Sequence, residues 1–98
     1  MNFIHEPNRI YLTDDSNHSV AEVTFPDVRD HIVTINHTFV DGSLRGQGIA
    51  GKLMEEVVEQ LRSSNKKARL SCSYAVKWFA EHEEASDVVF KSSDFDNL

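Results

Sequence analysis

The sequence is poor in three features that would mark particular classes of protein. It has one cysteine, Cys72, so no internal disulfide can form and a cysteine-based zinc site has no framework. It has 10 lysine and arginine residues against 16 aspartate and glutamate residues, and the resulting net charge of −6 disfavours broad attraction to nucleic acid or anionic lipid. No apolar run approaches the roughly 18 residues of a membrane-spanning helix. These absences leave an acidic globular protein for which a cationic substrate, such as an amine, is mildly favoured.

The length of 98 residues predicts one domain over 1–98 with a single core. Residues 1–7 lack the basic start and apolar core of a signal peptide, so a cytoplasmic location is expected. The polar segment 92–98 is expected to be a disordered tail.

Patterning along the chain predicts an α+β fold. β-Branched and apolar runs bounded by turn residues predict strands over 9–12, 19–25 and 32–40, the last being a central strand. Apolar residues at helical spacing predict a helix from 49 to about 61. A short strand over 68–72 and a second helix over 74–83, capped by Ser73, should follow. The expected architecture is a mixed, largely antiparallel sheet with one strand-helix-strand unit and a second short helix.

Residues 44–53 read LRGQGIAGKL and carry three overlapping phosphate-binding patterns. In each, small residues let the backbone approach a phosphate, and free amides at a helix N-terminus meet its charge. The three are a dinucleotide fingerprint (Gly46, Gly48, Gly51), a P-loop without its final hydroxyl residue (Gly46, Gly51, Lys52), and the acyltransferase pattern R-x-x-G-x-A (Arg45, Gly48, Ala50).

The context of the loop disfavours both nucleotide patterns. A dinucleotide fingerprint should open a doubly wound sheet and be followed about 20 residues later by an acidic residue, but the chain has Lys66, Lys67, Ala68 and Arg69 there. In a P-loop, Leu53 would occupy the position whose hydroxyl holds magnesium. A plain flexible linker between strand and helix stays open as a structural explanation.

Three blocks of sequence resemble the GNAT superfamily of N-acetyltransferases, and more closely its small, stand-alone YjdJ-type members. The blocks are HTFV at 37–40, LRGQGIA at 44–50 and LSCSYAVKW at 70–78. They look like the subgroup's H-T-x-V, R-G-x-G-[IL]-A and C-x-Y-x-x-x-[WY] patterns, in the same order, and the resemblance covers about residues 9–90.

This resemblance implies an acetyl-CoA-dependent N-acetyltransferase that acts on an unidentified amine, on a protein or peptide among the candidates. Acetyl-CoA would be the cosubstrate, and no metal is expected. In the family the strand before the glycine loop splays from the following parallel strand, and pantetheine lies in the opening. The implied cofactor-binding residues are Phe39 and Val40, through backbone groups, and then Arg45, Gly46, Gln47, Gly48, Ile49, Ala50, Gly51 and Lys52. Gly51 would serve mainly as a helix position that tolerates close packing.

His37 is the first catalytic candidate, because an imidazole titrates near neutral pH and can take the proton that an amine loses on acetylation. The structural alternative is a histidine packed among apolar neighbours, with Val33, Ile35 and Phe39 sharing its face of the central strand.

Cys72 and Tyr74 are the other two candidates. Cys72 is expected near a helix N-terminus, where the pKa of a thiol falls, and could accept the acyl group or lie beside CoA. Its alternative role is that of a small buried hydrophobe. Tyr74 could protonate the departing thiolate, or simply pack with its hydroxyl satisfied.

The sequence keeps a second function class open. Larger GNAT proteins carry N-terminal helices that wall the acceptor site, whereas only residues 1–7 precede the first predicted strand. An open acceptor side suits a protein or peptide amine, a homodimer that completes the site, or a noncatalytic acyl-CoA-binding module; the protein could be a monomer or a homodimer.

Overall fold

The computed structural model of the protein describes residues 2–91, so the predicted tail over 92–98 lies outside the described residues. Two helices and seven strands make up the fold, with short 3₁₀ helices at Gly42–Leu44 and Glu83–Val88. In chain order the elements are β1 (Ile4–Glu6), β2 (Arg9–Thr13), β3 (Ser19–Thr24), β4 (Asp27–Arg29), β5 (Ile32–Ile35), β6 (His37–Val40), α1 (Ile49–Ser64), β7 (Lys67–Leu70) and α2 (Ser73–Ala80).

The strands form two sheets. The first has four strands in the order β1-β2-β3-β6, and every neighbouring pair is antiparallel. The second has three strands in the order β4-β5-β7, with β4 antiparallel and β7 parallel to β5. The α+β prediction with mixed, largely antiparallel pairing is confirmed, but the pairing is divided between two sheets.

The predicted single strand over 32–40 is wrong, because the chain changes sheets at Asn36. Residues before it pair with β4 and β7, whereas residues after it pair with β3. Strands β3 and β4 together pair antiparallel with β5 and β6, and the chain between β3 and β4 bends at Pro26. Proline has no amide hydrogen to donate to a neighbouring strand. The Asn36 amide donates to Thr24 O at 3.2 Å, and its side-chain oxygen accepts from the Thr24 hydroxyl at 2.6 Å. The bend therefore has its own hydrogen bonds on both arms.

Helix α1 supplies the centre of the core. Its apolar stripe faces alternate residues of the first sheet, such as Ile10 and Val23, which are fully buried. The buried residues of α1 are Ile49, Leu53, Met54, Val57, Val58 and Leu61, which are the helical positions that the periodicity predicts. The remaining face of the four-stranded sheet is covered by no helix of the described part of the chain, and it carries Phe39 at 42% exposure.

The ends of the later elements also differ from the predictions. Helix α2 begins at Ser73 and ends at Ala80, so Ser73 is its first residue rather than its cap. The following segment, Glu83–Val88, turns into a 3₁₀ helix, and strands β1 and β4 were not predicted. Neither helix of the described region has the length and apolar character to cross a membrane.

Candidate functional site

Strands β6 and β7 diverge from a common point at the end of β5. The amides of Ser71 and Cys72 both donate to Ile35 O, at 3.1 and 3.0 Å, and the hydroxyls of Thr34 and Ser71 lie 3.0 Å apart. Beyond this point β6 turns towards β3 while the chain after β7 enters α2. A wedge-shaped gap therefore opens between β6 and the start of α2, with the glycine loop at its wide end.

The free edge of β6 lines this gap. In the described part of the chain β6 pairs only with β3, and the Asp41 amide donates to Val20 O at 2.8 Å. Because backbone groups alternate in direction along an antiparallel ladder, those of Thr38 and Val40 point away from β3. Two residues of β6 thus present backbone donors and acceptors to the gap.

The glycine loop ends in an open helix N-terminus. Gly46 and Gly48 have φ angles of +84° and +72°, which glycine adopts without the steric cost borne by other residues. Gly48 is the N-cap of α1 and, as a glycine, has no side chain with which to cap the first amides of the helix. The first turn also contains no acidic residue. Its backbone amides and the positive end of the helix dipole are therefore available to an anion.

A cavity of about 220 Å³ lies beside this N-terminus. Its lining brings together the loop, the end of β6 and α2: Val40, Leu44, Arg45, Gly46, Gly48, Ile49, Ala50, Gly51 and Tyr74. A larger surface hollow of about 410 Å³ lies between α1, α2 and the segment after α2, and four of the nine residues that line it are glutamates. The loop cavity is the better candidate for a phosphate-bearing ligand because of its backbone amides rather than its size.

Three charged or polar loop residues remain exposed. Arg45, Gln47 and Lys52 all have exposed side chains, and of these only Arg45 lines the cavity. Asp41 accepts hydrogen bonds from the amide and hydroxyl of Ser43, which, with the charge of Arg45, hold the pKa of its carboxyl below the ordinary value. The acidic group nearest to the loop in sequence is thus tied into the preceding 3₁₀ helix.

Cys72 lies at the narrow end of the gap, immediately before α2. Its Sγ is 3.5 Å from the hydroxyl oxygen of Thr38, which projects from β6. Burial raises the pKa of the thiol, but the Thr38 hydroxyl and the nearby amides of Ala75 and Tyr74 leave the pKa below its ordinary value. The sequence-based expectation of a thiol at a helix N-terminus is confirmed, and Thr38 is a partner that the sequence did not reveal.

Tyr74 lies between Cys72 and the glycine loop. Its hydroxyl is close to Gly51, where a Cβ atom would lie 3.8 Å from it. Burial, with a contribution from the charge of Glu81, raises the pKa of Tyr74, so the phenol stays protonated at neutral pH. It is therefore a hydrogen-bond donor within the cavity wall.

His37 does not lie among apolar residues, contrary to the structural alternative considered above. Val33 and Ile35 belong to the other sheet and are fully buried, while the His37 side chain is 54% exposed. Its neighbour on the outward face is Glu22 of β3, whose Oε1 lies 3.6 Å from His37 Nε2. The break at Asn36 explains this outcome, because it places the histidine on a different sheet from its predicted neighbours.

The structure thus groups the candidates into two places. The loop residues, Val40 and Tyr74 share the cavity, with Cys72 further along the same gap, whereas His37 and Phe39 project from the outward face of β6. Within residues 2–91, no group of three His, Cys, Asp or Glu side chains is placed to hold a metal ion.

These features define an α+β protein with a split sheet and a glycine loop whose open amides lie at the start of its main helix. A family model described as GCN5-related N-acetyl-transferase matches residues 9–88. The chain therefore belongs to this family, and acetyl transfer is its class of activity. No curated protein matches the chain significantly.

Solved structures of the same type are similar over most of the chain. A GCN5-like protein from Staphylococcus aureus has a TM-score of 0.76 and 35% sequence identity, over 91% of this chain and 87% of that chain. A GNAT-family acetyltransferase from Staphylococcus aureus Mu50 is 15% identical, with a TM-score of 0.61 over 76% of this chain and 50% of that one. The ribosomal-protein-S18-alanine N-acetyltransferase from Escherichia coli is 18% identical, with a TM-score of 0.60 over 81% and 50%. The last two share the fold, and the matches span about half of their length.

Proposed function

We propose that the protein transfers the acetyl group of acetyl-CoA to an amine, on a protein or peptide. The observation that carries this proposal is the open N-terminus of α1, entered through two glycines with positive φ, beside a cavity that is lined by the end of β6 and by Tyr74 of α2. An anion held at that N-terminus and a chain extending along the gap match the two parts of CoA.

The proposed binding mode assigns each part of the cosubstrate to a region of the chain. The pyrophosphate lies on the amides of residues 46–50, because the Arg45 amide already donates to Gly42 O at 3.3 Å. Arg45 and Lys52 add positive charge through their side chains, and Gln47 lies at the rim. Pantetheine runs along β6, where the ladder direction favours the backbone groups of Val40 over those of Phe39. The thioester then reaches the narrow end of the gap.

In this arrangement the acetyl group arrives beside Cys72, and the amine approaches from the outward face of the first sheet. The amine nitrogen attacks the thioester carbonyl, the bond from that carbon to sulfur breaks, and the sulfur leaves as a thiolate. We propose His37 as the base that takes the amine proton, and Tyr74 as the donor that protonates or hydrogen-bonds the leaving sulfur. Cys72 could carry the acetyl group in between, since its lowered thiol pKa favours the nucleophilic thiolate.

Calorimetry with acetyl-CoA tests the binding half of the proposal. The intact protein should bind, whereas Gly48→Trp should bind far more weakly, because a large side chain at the loop obstructs the helix N-terminus. Absence of binding by the intact protein, or undiminished binding by the variant, would overturn the proposed site.

A thiol-release assay with a panel of amines tests the transfer half. N-terminal peptide amines, lysine side chains and small polyamines should be compared with a blank lacking acceptor. Release above the blank with one class supports transfer to that class. Binding without release from any acceptor would instead assign a noncatalytic acyl-CoA-binding module.

Intact-protein mass after incubation with acetyl-CoA separates the two roles of Cys72. An added acetyl group that disappears in Cys72→Ala supports the acyl-carrying role. Normal turnover by Cys72→Ala would remove the thiol from the mechanism and leave direct attack by the amine.

A further inference from the structure

The outward face of the four-stranded sheet carries a connected set of polar side chains, of which only His37 has been given a role in the proposed acetyl transfer. The members are Arg9 and Tyr11 of β2, Glu22 of β3 and His37 of β6. The strand register places Tyr11 opposite Glu22, and Glu22 opposite Phe39. All of these residues therefore lie on the face opposite to the core, across three adjacent strands.

Arg9 fixes one oxygen of Glu22. Its Nε donates to Glu22 Oε2 at 2.9 Å, its Nη2 lies within ion-pair distance of the same oxygen at 2.8 Å, and its guanidinium lies 3.7 Å from the centre of the Tyr11 ring. The hydrogen bond, the ion pair and the ring contact hold the guanidinium in place, and the hydrogen bond and charge of Glu22 raise the pKa of Arg9, so its charge is permanent. The carboxylate is consequently held in one orientation.

That orientation leaves Glu22 Oε1 facing His37. The separation of 3.6 Å from Nε2 is an ion-pair distance rather than a hydrogen bond, so the carboxylate acts on the imidazole through its charge. Of the three charged side chains, Glu22 is the least exposed at 23%, followed by Arg9 at 31%, and His37 is the most exposed at 54%. The histidine is thus the member that solvent and an approaching molecule reach first.

We propose that Glu22 is a positioning residue for His37, a role that rests on the proposed acetyl transfer. The carboxylate favours the imidazole form with the proton on Nε2, and this form leaves Nδ1 with a lone pair directed away from Glu22. Thr38, the next residue along β6, contacts Cys72 in the gap. Because β6 has a free edge along the gap, an amine at that edge would lie between Nδ1 on the outward face and the thioester proposed to end in the gap.

Substitution Glu22→Gln separates positioning from simple packing. Arg9 still offers two donors, so the amide oxygen of glutamine takes the place of Oε2 and the NH₂ group takes the place of Oε1. The positive end of the amide dipole then faces Nε2 in place of the carboxylate charge, which favours the proton on Nδ1. The substitution keeps the size of the side chain but inverts the tautomer.

Glu6→Gln is the matched control. Glu6 Oε1 lies 3.8 Å from Nη1 of the same Arg9, whereas among the described residues it is Glu22, not Glu6, whose carboxylate lies beside His37. Both variants remove one negative charge near one arginine, and only Glu22→Gln should alter the histidine.

The ¹⁵N chemical shifts of the His37 ring, recorded at about pH 8.5 where imidazoles are largely neutral, report the tautomer directly. We expect the Nε2–H form in the wild type and in Glu6→Gln, and mainly the Nδ1–H form in Glu22→Gln. With the best acceptor amine, Glu22→Gln should lose roughly 100-fold or more in kcat, as for loss of a general base, with acetyl-CoA affinity unchanged within about twofold.

Each outcome decides a separate claim. An imidazole that keeps the Nε2–H form in Glu22→Gln overturns the positioning role, whether or not the protein is active. An inverted tautomer with wild-type kcat overturns the link between that tautomer and catalysis. A wild-type protein that binds acetyl-CoA but acetylates no amine overturns the proposed function, and with it the catalytic purpose of the positioning.

Discussion

Replacement of Gly48 by alanine tests the central element of the site. Gly48 is the N-cap of α1 and has a φ of +72°, in the left-handed region that residues with a Cβ atom rarely adopt. No described atom outside its chain neighbours lies within 4 Å of a Cβ built there, so alanine meets no obstruction. Any effect of the substitution is therefore conformational.

The cost of the left-handed conformation for alanine is about 1–2 kcal/mol, which corresponds to a factor of about 5–30 in an equilibrium constant. If α1 holds the loop in place, the whole cost lowers the free energy of unfolding. If the loop instead adopts another conformation in the free protein, the left-handed conformation has to form when acetyl-CoA binds, and the Kd rises by about 5–30-fold. The two losses together should add up to about 1–2 kcal/mol.

Gly42 and Gly51 provide controls for this substitution. Neither has a positive φ, and Gly42→Ala also meets no neighbouring atom. Gly51→Ala would place its Cβ 3.5 Å from Trp78 Nε1, an ordinary contact, and should stabilise α1 by up to about 1 kcal/mol because alanine is the better helix former. Both controls should bind acetyl-CoA normally.

Urea denaturation and calorimetry measure the two quantities on the same samples. A Gly48→Ala protein with unchanged unfolding free energy and unchanged affinity would refute the assignment of conformational strain to this position. Equal losses of affinity in Gly48→Ala and Gly42→Ala would refute the role of the helix N-terminus.

Three further predictions concern the thiol, the core and an ion pair. Because its folded-state pKa is lowered, Cys72 should react with iodoacetamide at a lower pH in the native protein than in urea, and Thr38→Val should raise that pH. Leu53→Ala, at a fully buried position of α1, should lower the unfolding free energy by about 2–5 kcal/mol in urea denaturation. Arg62 holds the pKa of Asp87 below its ordinary value, so the pair stabilises the fold above about pH 4 and loses that effect as pH falls. Arg62→Gln should therefore flatten the decline of Tm between about pH 5 and pH 2.

Each of these predictions has a result that would contradict it. Identical alkylation profiles in native and unfolded protein would show that the fold does not activate the thiol. Val76→Ala, at a half-exposed position of α2, should change stability by no more than about 0.5 kcal/mol, so a comparable loss there would contradict the packing assigned to Leu53. An unaltered acid limb in Arg62→Gln would remove the pair from the pH dependence.

The features that the sequence predicted correctly are local ones. Helix α1 follows from the spacing of apolar residues within one segment, and the glycine loop from small residues directly before it. The position of Cys72 at a helix start also depends only on its near neighbours in the chain. In each case the interactions that decide the structure lie within a few turns of sequence.

The features that were predicted wrongly depend on pairing between distant segments. Alternating β-branched residues over 32–40 are compatible with one strand, and only the partners of β5 and β6 reveal the change of sheet at Asn36. The same change decides the surroundings of His37. Glu22 and Thr38 escaped notice for this reason, since their importance comes from cross-strand contacts and from a gap between sheets.

The charge distribution reconciles an acidic protein with an anionic cosubstrate. At physiological salt, charges more than about 8 Å away are largely screened. A ligand at the loop therefore responds more to the charges beside it than to the net charge of −6. Of the acidic residues of α1, Glu56 and Glu59 lie about 10 and 15 Å along the helix from its start, beyond that screening distance. Asp41, before the loop, is held by the amide and hydroxyl of Ser43. The positive end of the α1 helix dipole is not neutralised by a carboxylate in the first turn of the helix. Binding of acetyl-CoA should therefore weaken with added salt, because salt screens the attraction between the phosphates and the loop. If repulsion by the net negative charge dominated, added salt would strengthen binding.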